Sequence, residues 1–245
     1  MEIFELGSSL WNPLSILGIN NDLLKLNSTT IINTWIVLAI LFALLVLARY
    51  FINKSKMVHH VVLSSTKGLI ELVEQNIGRF VYAHFLVVAT LFLFILGCNW
   101  IILLPWTKEP TSDINTTLAL ALIAFFYKEY SSIRARGIGG YLEEFLQPFF
   151  IMAPINVISH FSKIISLSFR LFGNIFGSSI IMDLYFHVVS LFWFTEIIGL
   201  LSGINFIVLL FFGLFEGLIQ AFVFAMLTLT YIGLATHTEN HGEGM

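Results

Sequence analysis

Arg170 lies inside a long apolar segment, and its guanidinium stays charged at any physiological pH. At bilayer depth such a group costs about 3 kcal/mol on insertion scales. It therefore needs a partner or a water-filled cavity close by. At about 100° per residue, Ser159, Lys163, Ser166, Arg170, Asn174 and Gly177 share one stripe of a helix, with Gly173 flanking it. Small and polar residues on one face of a membrane helix mark close approach by another body. Two readings fit. A neighbouring helix packs there and an internal carboxylate holds Arg170, or the face is turned to a partner.

The last apolar segment carries a second stripe, Gly213, Glu216, Gln220 and Val223. Glu216 is a second intramembrane charge, one turn from the Gln220 amide. Ionisable groups in apolar helices mark ion or proton paths; a structural Glu216–Arg170 pair is the competing reading. A third set, Ser179, Asp183 and His187, steps by four. It lies about 180° to 260° round the helix from Arg170. One helix then has two chemically different faces, one suited to a partner and one to a water-filled cavity. His187 equally suits an interfacial position near the helix end.

The elements that position these groups follow from hydropathy. The chain is 58% hydrophobic and 11% charged, with mean hydropathy +0.90, which excludes an ordinary soluble domain. An all-α polytopic membrane protein is expected. Residues 1–30 form a polar, mixed N-terminal arm, in which Asn27-Ser28-Thr29-Thr30 can cap a helix. Spans are expected at about 31–52, 81–104, 116–135, 141–189 and 197–235. Within 59–80, Leu69, Leu72, Val73, Ile77 and Phe80 recur at threes and fours, opposite Lys67, Glu71, Glu74 and Gln75. That pattern is an amphipathic helix lying on the membrane surface. Gly137-Ile138-Gly139-Gly140 reads as a turn, and residues 236–245 as a polar tail. The two final spans would measure roughly 70 Å and 58 Å as helices, against a hydrocarbon core of about 30 Å. They must tilt strongly or break, with Pro148 and Pro154 as candidate kinks.

Several functions are set aside. No basic stripe for nucleic acid is present. Cys98 sits alone in an apolar run, so no internal disulfide forms. His59-His60 reads as a surface pair and the tail histidines His237 and His241 as solvated, so no metal or cofactor is expected. No cleavable signal peptide is apparent. Arg49, Lys54, Lys56, Lys67 and Arg79 follow the first span, and Lys128, Arg134 and Arg136 the third. By the positive-inside rule these face inward, which puts the N-terminus outside and the C-terminus inside.

The run Ser166-Leu167-Ser168-Phe169-Arg170-Leu171-Phe172-Gly173-Asn174 resembles the signature of subunit a of rotary ATP synthases, in its bacterial and plastid form. So do Asn99-Trp100 through Leu104-Pro105-Trp106, Asp113-Ile114-Asn115-Thr116-Thr117, Gln147-Pro148, Pro154-Ile155-Asn156 and Ile219-Gln220-Ala221-Phe222. The likeness covers most of residues 30–235. It implies a transmembrane helix, a surface helix, a transmembrane hairpin and two long tilted helices curving round a ring of c subunits. It implies that Arg170 is the essential charge facing that ring, with Gln220 opposite it and Asn174 beside it. The implied partners are the c ring, a peripheral stalk of subunit b type and the bilayer of an energy-coupling membrane, a bacterial inner membrane foremost.

The sequence also departs from that family. An acid or histidine is usual at Ser179, a glutamate at Ser159, and a histidine or glutamate at Gly213. Asp183 and Glu216, a turn away on the same faces, are expected to take over, with His160 standing in near Ser159. The implied mechanism is ion translocation without bond chemistry in this chain. Arg170 lowers the pKa of each passing ring carboxylate. The outer half-channel is expected at Asp183, Glu216, His187 and Ser179, and the inner one near the Ser159–Lys163 end. The alternative is a self-contained secondary transporter or channel, which would need a complete acid–base site in one chain.

Overall fold

The structure is a computed structural model, and it describes residues 10–11, 26–104, 107–146, 149–191 and 203–236. Six helices follow in order: α1 Ser28–Phe51, α2 Lys56–Ile77, α3 Tyr82–Trp100, α4 Ile114–Leu146, α5 Ala153–Ser190 and α6 Ile204–Thr236. Apart from short 3-10 turns, the remaining regular structure among the described residues is a two-residue antiparallel pairing that sets Leu10 against Asn27 and Trp11 against Leu26.

Among the described residues, four helical stretches are long and apolar enough to cross a membrane: Ser28–Phe51, Tyr82–Leu103, Phe150–Ser190 and Ile204–Thr236. α1 begins where Asn27 accepts a hydrogen bond from the Thr29 N–H at 3.0 Å, closing one of the helix's open donors. It is apolar on all sides and buries only Asn33 and Val37, as a helix surrounded by lipid would. α2 is amphipathic: Val73 and Ile77 are buried, while Lys67, Glu71, Glu74 and Gln75 are exposed. It stops at Gly78, whose left-handed φ of 76° closes the helix with a hydrogen bond to the Glu74 carbonyl.

α4 is not among the four, because Lys128 and Glu129 follow too soon after its apolar start. It nevertheless runs the length of the bundle. Its first residues adjoin Asp113, which accepts from Thr30 of α1, and at the far end Arg136 donates to the Ala235 carbonyl of α6. The turn expected at 137–140 is a single break: only Gly137 leaves helical geometry, with φ 74° and ψ 171°, and the helix resumes to Leu146. The expected span 141–189 is therefore divided. Residues 141–146 end α4, and α5 starts at Ala153 with Pro154 in its first turn, where a missing N–H costs nothing. Pro148 lies outside the described residues, as do residues 1–9, 12–25, 192–202 and 237–245, which include Ile197, His237 and His241.

α3, α4, α5 and α6 enclose the main core, built on Ile95, Ala121, Leu167, Leu171, Ala221 and Phe224. A second core, with Val73, Ile77, Leu229 and Ile232, docks α2 against α3 and α6. That docking is close. A Cβ added to Gly233 would come within 2.6 Å of the Asn76 carbonyl oxygen, so glycine alone fits there. Val37, Cys98 and Ile101 attach α1 to α3. Two ends result. One holds the α3–α4 loop, and the other gathers the end of α1, α2, Arg136 and the end of α6.

Candidate functional site

α5 sorts its residues by helical period. His160, Ile164, Leu167, Ser168, Leu171, Ile175, Ser178 and Met182 are buried against the bundle. Ser159, Ser166, Arg170 and Gly173 are exposed, and Lys163, Asn174 and Gly177 partly so. The Arg170 stripe thus looks outward. Arg170 makes no hydrogen bond or ion pair among the described residues, so the reading in which an internal carboxylate holds it is not what the structure shows. Glu216 is partly buried and likewise forms no pair with it. Gln220 is only 8% exposed, on the seam between α5 and α6. Leu171 and Ala221, the next residues after Arg170 and Gln220, both belong to the main core.

The stripe expected on α6 is not straight. Leu209–Phe215 is π-helical, so the 100° step fails between Gly213 and Glu216. Gly213 is buried against Ile102 of the α3 side, whereas Glu216, at the start of regular helix, is half-buried. The wide turn also shapes its surroundings. Trp100 Nε1–H donates to the Leu214 carbonyl at 3.0 Å, and Asn99 Nδ2–H to the Gly217 carbonyl at 2.9 Å. Thr111 donates to Asn99 Oδ1 at 2.7 Å. A Cβ at Gly217 would meet Asn99 Cβ at 2.9 Å, so α3 and α6 touch at this level.

Asp183 and His187 are exposed near the loop end of α5. Ser179 is partly buried and donates to the Phe176 carbonyl of its own helix at 2.9 Å. Sequence reasoning missed their neighbour. Glu109, in the α3–α4 loop, is 7% exposed. Burial, reinforced by the Asp183 carboxylate, pushes its carboxyl up to about 7 against the opposing pull of its own backbone N–H and Lys108. Its separation from Asp183 in sequence hides the pair.

The other end holds a cluster that was also missed. Lys128 Nζ donates to Glu129 Oε1 at 2.9 Å, His160 Nδ1 lies 3.1 Å from the same oxygen, and Lys128 Nζ is 3.4 Å from His160 Nδ1. The three side chains are 8%, 10% and 10% exposed. The His160 ring packs on Phe145, with centroids 4.6 Å apart. His160 was expected near an inner channel, but Lys128 read only as a span-ending base and Glu129 not at all. The available signal was position: two charges stand barely fourteen residues into a helix, a turn before an interface is reached. Lys163, on the Arg170 stripe, lies over the Tyr231 ring at 5.8 Å. No group of three metal-ligating side chains occurs among the described residues, and His59 and His60 are exposed on α2.

Fold and site together define a polytopic helical membrane protein that turns outward, from a long helix, an arginine with no partner among the described residues. Comparison with known sequences takes this further. The family profile described as ATP synthase A chain matches residues 31–233. ATP synthase subunit a of Moorella thermoacetica is 36% identical over 85% of this chain and 91% of its own length. ATP synthase subunit a 2 of Acaryochloris marina is 31% identical over 89% of both chains. Its counterpart from Picosynechococcus is 34% identical over 89% of this chain and 90% of its own. The chain belongs to the ATP synthase subunit a family.

Proposed function

We propose that this chain is the ion-conducting stator of a rotary ATP synthase. It gives the carboxylates of a c ring access to the two sides of an energy-coupling membrane, a bacterial inner membrane foremost, while a peripheral stalk holds it still. The observation that carries this reading is the outward, unpaired Arg170 on a stripe of Ser159, Ser166 and Gly173. Small residues let another helix come close. A fixed cation there favours the ionised form of each arriving carboxylate, so a proton leaves before passage and reloads after it. Arg170 also bars a direct leak between the half-channels. Asn174 and Gln220 flank it. The outer half-channel is assigned to Asp183, Glu216, His187 and Ser179, to which the buried Glu109 adds an acid. The inner one is assigned to Ser159, His160 and Lys163. Each proton crossing releases about 2.3 kcal/mol per 100 mV, so several per ATP are needed.

A self-contained transporter would require an acid paired with Arg170 inside this chain, and none occurs among the described residues. Arg170→Ala tests the proposal: in membranes holding the assembled complex, ATP-driven proton pumping should vanish. Pumping at the wild-type rate would reject the stator role.

A further inference from the structure

His160 Nδ1 has an acceptor on one side and a donor on the other. Glu129 Oε1 is 3.1 Å away and Lys128 Nζ is 3.4 Å away. A protonated Nδ1 donates to the carboxylate. A deprotonated Nδ1 accepts from the ammonium. The ring is therefore satisfied in both states without moving, and a proton added or removed leaves no buried nitrogen unpaired. A histidine held for structure alone needs only one of these partners.

A second observation is independent of the first. Glu129 Oε2 is buried and has no hydrogen-bond partner among the described residues. A buried carboxylate oxygen left open is costly. Its natural complement is a water or a proton, so the cluster has one acceptor reserved for something that comes and goes. The third observation is location. Lys128 of the cluster and Lys163 of the Arg170 stripe line one small cavity of about 20 Å³, together with Thr228 and Tyr231 of α6. That volume holds about one water. Through these two lysines the cluster and the stripe border the same void, which runs along α4 from Ala121 to Lys128.

We propose that Lys128, Glu129 and His160 form the proton-exchange station of the inner half-channel, a role that rests on the stator reading above. A proton released from the ring passes to His160, where Nδ1–H donates to Glu129 Oε1. The cluster then carries one net positive charge. When the proton leaves to water, Nδ1 turns to the Lys128 ammonium and the net charge returns to zero. The O–H bond of the ring carboxylic acid breaks as the Nδ1–H bond forms, and that N–H bond breaks as water takes the proton. Among the described residues, the charged groups that face His160 are Lys128 and Glu129 on α4, and Phe145 covers the ring face.

The test uses inverted membrane vesicles holding the whole complex, and follows both the amount of assembled subunit and the pH profile of ATP-driven pumping. The triple variant Lys128→Met, Glu129→Leu, His160→Phe removes every exchangeable proton but keeps a packed, uncharged site. It should assemble and pump at least tenfold more slowly. Glu129→Gln should displace the pH profile, and Glu129→Asp should bring it back. A triple variant pumping at the wild-type rate overturns the proposal. If the triple variant fails to assemble, the decision passes to Glu129→Gln and His160→Gln, for which an unaltered rate and pH profile overturn it and a displaced profile supports it. Arg170→Ala in the same vesicles separates the two readings: its inactivity beside active cluster variants rejects the station and leaves the stator role standing.

Discussion

The two ends of the bundle solve the burial of polar groups in opposite ways. At the loop end, Asn33 donates to the Lys108 carbonyl at 2.8 Å, Thr111 donates to Asn99, and Asn99 donates to Gly217. These are neutral amides and hydroxyls, and Asn99 is satisfied through both its oxygen and its nitrogen. At the other end, a lysine, a glutamate and a histidine crowd together with one carboxylate oxygen left open. A complete neutral network has nothing to exchange and fixes geometry. An incomplete charged one costs more and can trade a proton. The contrast separates what holds the helices in place from what can conduct.

The sharpest way to break the contrast is to remove one charge from the incomplete cluster. Lys128→Met leaves Glu129 with His160 alone in a buried setting and should cost about 3 to 5 kcal/mol. The apolar triple variant should lie close to the wild type, because it strands no charge. Thermal unfolding in detergent compares them, and equal losses in the two would refute the account.

Glu109 is the exception at the otherwise neutral loop end, and it supplies the next largest effect. Its folded carboxyl titrates at about 7 against a reference of 4.5. The folded state therefore binds the proton more tightly than the unfolded chain. Its contribution is present in full below about pH 4.5 and is lost as pH rises through about 7. Glu109→Gln should match the wild type below about pH 4 and exceed it at pH 8, by on the order of 3 kcal/mol. Parallel melting curves across that range would show that Glu109 is not held protonated.

The smallest effect sharpens the neutral side. Asn99→Leu strands the Gly217 carbonyl and the Thr111 hydroxyl, and should cost about 2 kcal/mol. It should reduce stability while leaving the pH profile of pumping where it was. A displaced profile would mean that the loop-end network also handles protons.

Much of this was legible in the sequence because it depends on local period. The amphipathic α2, the apolar α1 and α3, and the outward stripe of α5 all follow from spacing at threes and fours. The start of α5 follows from Pro154, which sits in its first turn. What was not legible depends on contacts between distant residues. Glu129 meets His160 across thirty-one positions, and Glu109 meets Asp183 across more than seventy. No periodicity reports such meetings. The apolar sequence Leu209–Phe215 likewise carries no mark of its wider coil. Asn99 and Trp100, more than a hundred positions away in sequence, bind the Gly217 and Leu214 carbonyls at its end.

That coil bears on how the chain can change in length. In an ordinary helix, deleting one residue turns everything beyond it by about 100° and would swing Gln220 off its seam. Within Leu209–Phe215 the spare residue of the i→i+5 turn is already present, so its deletion restores regular helix and leaves the two flanking faces in phase. A chain one residue shorter here keeps Gln220 on the same face of α6, with the loss of a single codon absorbed where the helix has slack.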